Sequence, residues 1–179
     1  MQTPRLIFHP KDPQQLIAMD SLQKAMREIG FIGDEMITHG DNCFAAGEHF
    51  IELLSFLGCS PVINLSAGDG DKFCYIEIIQ RPVAELVFGS QPFQPRCRQC
   101  RQPIADWEQQ YKLSSTICCH ECGNRMEPQL VNWKQSAGYA SQFMLIHNIY
   151  LHEAVPGELL LSSLAKLSSE HEWTYFYAL

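Results

Sequence analysis

CRQCRQPIADWEQQYKLSSTICCHECG, residues 97–123, holds five of the chain's eight cysteines. Two C-x-x-C pairs, Cys97/Cys100 and Cys119/Cys122, stand 18 residues apart, inside the spacing expected of a zinc site. Two residues between cysteines let the chain turn tightly enough for both thiolates to reach one tetrahedral ion at about 2.3 Å, with backbone N–H groups aimed at the sulfurs. Gly123 follows the second pair and suits that turn, because glycine accepts positive φ. The first pair is followed by Arg101, which must make the same turn with a Cβ. Cys118 offers a competing register, Cys118-x3-Cys122, but the Cys119 register keeps the two-residue loop ahead of Gly123. His120 reads as an exposed residue of that loop, since adjacent residues seldom both reach one ion.

Over residues 91–130 this arrangement resembles the zinc-ribbon family, in which two such knuckles at the tips of short hairpins hold one structural zinc. The resemblance implies Cys97, Cys100, Cys119 and Cys122 as the ligands of a single Zn2+. Four thiolates fill the coordination shell, leave no open position for water and make the ion a poor Lewis acid, so the expected role is structural. The metal's binding energy then acts as folding energy for the segment around it. Iron suits the same four thiolates. A thioredoxin-like redox site would instead use one pair at the start of a helix.

The segment 91–130 opens with Pro92 and Pro95, closes with Pro128, and differs in composition from its surroundings. It divides the chain into an N-terminal α+β half (1–90), the cysteine-rich insert (91–130) and a C-terminal strand–helix–strand (131–179) that completes the domain. After a short lead, residues 12–30 read as a helix, with Asp12 and Pro13 at its start, Gly30 at its end, and Leu16, Met19, Leu22, Met26 and Ile29 at helical spacing. Residues 35–47 read as extended with a turn at HGDN, and residues 48–58 as a second helix. Strands follow at 61–66 and 72–80, joined by the turn AGDGD, and at 84–90 after a break at Pro82. SQFMLIHNIYL is a strand, Pro156 opens a helix, and EWTYFYAL is an aromatic-rich strand. The expected class is α+β: a mainly antiparallel sheet covered by helices, with an inserted four-cysteine zinc ribbon.

Composition bounds the function. At 179 residues the chain suits one domain, or one domain with a small insert, and 46% hydrophobic with 18% charged residues describes a folded rather than a disordered protein. No apolar run approaches the roughly 20 residues that span a bilayer. The N-terminus lacks a basic and apolar leader, which points to a cytoplasmic protein. Cys43, Cys59 and Cys74 lie in apolar segments and read as buried thiols. The net charge of −7 opposes loose binding to nucleic acid. Arg96, Arg98 and Arg101 around the first knuckle are the candidate partner-binding residues.

No phosphate loop, nucleophile elbow or His-Glu-x-x-His helix is present. His147 reads as a core histidine on an apolar strand face shared with Phe143, Leu145, Ile149 and Leu151. The leading expectation is a non-catalytic, zinc-stabilised binding or adaptor protein with a protein partner. A nucleic-acid-associated protein using the three arginines comes second. An enzyme with a cleft between the two halves, drawing on His147, Glu77 and Cys74, comes third.

Overall fold

Both faces of the strand RLIFHP, Arg5–Pro10 (β1), are buried, and the sheet is assembled around it. The computed structural model describes residues 3–57, 63–65, 73–90, 92–168 and 172–179. Cys59 and the expected AGDGD turn lie outside them, as do the ends of the expected 61–66 strand. The main sheet has the order β10-β1-β8-β5-β3-β2, built from Trp173–Ala178 (β10), β1, Ala137–His147 (β8), Tyr75–Phe88 (β5), Cys43–Ala46 (β3) and Ile32–Glu35 (β2). Every pairing in it is antiparallel. Short ladders join Leu54–Phe56 (β4) to Ala154–Pro156 (β9), and Ile117–Cys118 (β6) to Arg125–Met126 (β7). Three α-helices lie among the described residues: Met19–Glu28 (α1), Trp107–Ser114 (α2) and Glu158–Leu167 (α3). None is long and apolar enough to cross a membrane. The class is α+β with a mainly antiparallel sheet.

One face of the sheet presents Leu6, Phe8, Phe44, Ile76, Ile78, Met144, Ile146 and Tyr177, and it is covered by Leu22 and Met26 of α1 and Leu160 and Leu164 of α3. Each such side chain contributes roughly 1.5–3 kcal/mol on full burial. The helix α1 ends as its sequence suggests. Gly30 takes φ 71°, its N–H reaches the Arg27 carbonyl at 2.9 Å, and the Phe31 N–H reaches the Met26 carbonyl at 2.9 Å. This is the left-handed stop with paired backward bonds that glycine makes cheaply.

Several expected elements differ, each for a tertiary reason. The N-terminal lead is a central strand, whose apolar run Leu6–Phe8 is short and bounded by Pro4 and Pro10. The first helix starts at Met19 rather than near Asp12. Asp12 does accept from the Gln14 N–H at 3.0 Å, but the backbone beyond it is tied to β8 instead of to itself. The wholly buried Gln142 accepts from the Ile17 N–H at 3.0 Å and donates to the Ile17 carbonyl at 2.8 Å. The expected helix over 48–58 is a run of turns ending in β4, because residues 54–56 pair with β9. The expected strands 72–80 and 84–90 are one strand, β5, running through Pro82. Its break is a bulge: Gln80 faces Gln142 and Glu85 faces Ala140, so Arg81–Ala84 stand opposite the single residue Ser141. Ser141 turns its N–H and Oγ to the Pro13 carbonyl, at 3.2 and 3.0 Å. The strand expected from SQFMLIHNIYL begins earlier, at Ala137, and stops at His147 where Asn148 takes φ 61°, leaving Ile149 and Leu151 in the following turn.

A bulge bends and twists a ribbon, and here the distal half of the β5–β8 ribbon lies over the second face of the sheet. Val87 and Ala140 cluster with Ile7, Phe143, Leu145, Phe176 and Ala178. A Cβ at Gly138 would stand 2.5 Å from the His9 ring and 2.6 Å from Phe176. The outer edge of β10 is met by the same region, with the Tyr177 N–H on the Gln135 carbonyl at 3.1 Å. The opposite face of the distal ribbon carries Leu86, Phe88, Ala137 and Tyr139, on which the cysteine-rich segment sits.

Two predictions test this packing. Gly138→Ala should cost about 1–3 kcal/mol through overpacking, read as a lower urea midpoint; an unchanged midpoint would mean that the ribbon does not seat on His9 and Phe176. Burial pushes the His9 imidazole down to about 4 from an ordinary 6.5. The unfolded chain therefore takes up a proton that the native state refuses. The stability carried by neutral His9 is complete above pH 6.5 and is lost as the pH falls toward 4, about 3 kcal/mol in all. His9→Gln should flatten urea-unfolding stability across that window relative to the parent chain, and equal slopes would contradict it.

Candidate metal centre

The four sulfurs of Cys97, Cys100, Cys119 and Cys122 all lie within 4.8 Å of one another. Cys97 Sγ is 3.7 Å from Cys122 Sγ, and Cys100 Sγ is 3.4 Å from Cys119 Sγ. A tetrahedron with metal–sulfur bonds of about 2.3 Å has edges of about 3.8 Å, so the cluster can hold one metal ion and is compatible with zinc.

The two knuckles are built alike. The Cys97 N–H reaches the Gln102 carbonyl at 2.9 Å, and the Cys119 N–H reaches the Asn124 carbonyl at 2.9 Å. The Arg101 N–H reaches the Cys97 carbonyl at 2.9 Å, and the Gly123 N–H reaches the Cys119 carbonyl at 2.8 Å. Arg101 adopts φ 62°, beside 69° for Gly123, so the arginine makes the turn that glycine makes in its counterpart. Backbone N–H groups aim at the sulfurs. Those of Cys100 and Gln99 favour the Cys97 thiolate and bring it down to about 6. Cys100 accepts a backbone bond from Gln102, yet desolvation and its hydrogen bonds with the neighbouring cysteine sulfurs push it up to about 12. Cys122, bonded by the Asn124 backbone, is also raised.

Cys118 is outside the cluster. It sits in β6, its Sγ directed at the Cys119 and Gly123 carbonyls at 3.8 and 3.9 Å. Gln110 of α2 clamps its backbone, accepting the Cys118 N–H at 2.6 Å and donating to its carbonyl at 3.1 Å. His120 is exposed and bonds Asp106 at 2.9 Å, and that bond holds the Asp106 carboxyl below its ordinary range. The sulfurs rest on a small apolar core. Trp107 meets Phe88 and Trp133 edge to face at 5.1 and 4.9 Å, and Ile104, Ile117, Met126 and Val131 fill the remainder. The Trp133 indole N–H is satisfied by the Pro128 carbonyl at 2.7 Å. Tyr111 ties the segment to the ribbon by accepting the Leu86 N–H at 3.1 Å.

The other candidate residues are distributed unevenly. Arg96, Arg98 and Arg101 are exposed and share one hollow of about 490 Å3 with Cys97 and Asn132. His147 and Glu77 are joined by a 2.7 Å bond, with the Tyr75 ring stacked flat on His147 at 4.2 Å. That bond, its largest influence, holds the Glu77 carboxyl below its ordinary range. Cys74 is on the opposite face, in the core beneath the helices, and burial pushes its thiol up to about 12. The three residues do not converge. Cys43 is buried, and burial followed by the Glu77 and Asp41 charges raises its thiol too. Sequence spacing gave no sign of Lys11, Asn132 and Lys134, which line a neighbouring cleft of about 430 Å3 with Arg98. Lys11 stands more than a hundred residues from Asn132 and Lys134, and only the register of β1 and the ribbon brings them together.

No protein-family model, curated protein or solved structure matches the chain.

Cys118→Ser should leave one metal ion per chain, whereas Cys119→Ser should lose it, as measured by metal analysis after desalting. The reverse pattern would place the ligand at Cys118.

Proposed function

We propose that the chain is a non-catalytic binding protein in which one Zn2+, held by Cys97, Cys100, Cys119 and Cys122 in a zinc-ribbon arrangement, fixes residues 92–136 on the β5–β8 ribbon. The support is the tetrahedral spacing of four sulfurs served by backbone N–H donors, a shell that leaves no position for water or substrate. The buried thiols elsewhere argue the same way: burial disfavours their thiolates, and Cys74 stands across the sheet from the His147–Glu77 pair. A reducing compartment such as the cytoplasm would keep the four thiols available. The working surface is then the face where the metal segment meets the end of the sheet. There Arg96, Arg98 and Arg101 project, and there a partner would be engaged.

Beside its small apolar core the segment has little regular structure: an eight-residue helix, two two-residue strands and a 3-10 turn at Pro128–Leu130. Helices that short are marginal by themselves, so the metal should be required. Purified protein should carry one zinc per chain. A strong chelator should expose Trp107 and Trp133, seen as a red shift in fluorescence, before the sheet signal in circular dichroism is lost. Absence of zinc, or melting unaffected by chelation, would overturn the reading.

A further inference from the structure

The cleft of about 430 Å3 lies between the end of β1, the start of β10 and the segment that returns from the metal site to β8. Arg98 and Asn132 also line the hollow of about 490 Å3 beside Cys97, so the two run together. Five of the chain's thirteen Lys and Arg residues line this surface: Lys11, Arg96, Arg98, Arg101 and Lys134. Among the described residues no Asp or Glu lines it. Only Lys11 of the five has an ion-pair partner among the described residues, Glu172, and the guanidinium of Arg96 donates to the Arg101 carbonyl at 3.0 Å. Charge compensation of the thiolates would account for the arginines beside Cys97. It does not account for Lys11 or Lys134, which are contributed by the end of β1 and by the returning segment.

The returning segment is held in an uncommon conformation at this point. Lys134 and Gln135 take φ 50° and 57° in succession, a left-handed pair that is strained without glycine. Asn132 Oδ1 accepts the Lys134 N–H at 3.1 Å, and the Gln135 carbonyl accepts from Tyr177 at 3.1 Å. The turn therefore sets the Lys134 backbone at the cleft wall, opposite the end of β1.

Size and charge choose the ligand class. The volume falls in the 300–1,000 Å3 range of small-molecule sites. A long polyanion would run from the cleft onto a chain of net charge −7 and be repelled there, whereas a small anion keeps its charge among the cations. Unpaired guanidinium and ammonium groups suit phosphoryl oxygens. Asn132 and Gln135 line the same cleft, and their side-chain amides suit the polar groups of an organic phosphate.

We propose that this cleft binds a small organic phosphate of nucleotide size. The proposal rests on the reading of the metal as structural, because the metal segment forms one wall. Calorimetric titration of the zinc-loaded protein with ADP, pyrophosphate and adenosine at low salt tests it, with metal content measured on the same sample. ADP and pyrophosphate should bind more weakly as salt rises, adenosine should bind more weakly than ADP, and Arg98→Ala with Lys134→Ala should weaken ADP about tenfold. The same double variant should keep its zinc and its melting temperature. No ADP binding at about millimolar concentration, or equal binding to the double variant, would overturn the cleft while zinc at one per chain left the metal reading standing. A single-stranded oligonucleotide bound far more tightly than ADP would also overturn it, in favour of a nucleic-acid site. ADP binding to a chain shown to lack zinc would overturn the metal reading alone.

Discussion

Four sulfur atoms gathered within 4.8 Å cannot all be ionised unless a cation lies among them. Thiolates at such distances disfavour one another; backbone N–H groups of Cys100 and Gln99 favour the Cys97 thiolate, while desolvation and hydrogen bonds among the sulfurs raise Cys100 and Cys122. A divalent ion would remove the conflict and turn it into attraction. On the proposed reading the core around Trp107 and Trp133 depends on that ion, because the helix and ladders that frame the core are short.

The sheet supplies the platform. At the bulge opposite Ser141 the β5–β8 ribbon leaves the plane of the other strands; Ser141 gives its N–H and hydroxyl to the Pro13 carbonyl, and the Gln142 side-chain amide bonds Ile17. One device thereby does three things. It ends the space available to the first helix, it folds the distal ribbon across Ile7 and Phe176, and it turns Leu86, Phe88 and Tyr139 outward as a seat for the cysteine-rich segment. The cleft lined by Arg98 and Lys134 is the gap left between that seat and the end of β1.

Local chemistry made the four-cysteine cluster legible in the sequence. Spacing within each C-x-x-C pair is a property of a single turn, and both turns fold as that spacing implies, with Arg101 taking the left-handed position that Gly123 takes in the other. Helix α3 and strand β10 were legible for the same reason, having period and punctuation of their own. The failures share a cause. Residues 12–18 have helical periodicity but bond to β8, residues 48–56 have a helical composition but pair with β9, and β1 is too short to advertise itself. In each the deciding partner is distant in sequence. Pro82 reads as a break because proline lacks the N–H that a ladder needs, and only the bulge shows how the strand continues past it. The cationic cleft was not legible, since no local pattern links Lys11 to Lys134.

The central claim is that a single ion bound by four sulfurs organises residues 92–136. X-ray absorption at the zinc edge of the purified protein addresses it directly. The account predicts one shell of four sulfur scatterers at about 2.3 Å with no nitrogen or oxygen neighbour. A shell containing a nitrogen or oxygen ligand would contradict it, as would fewer than four sulfurs.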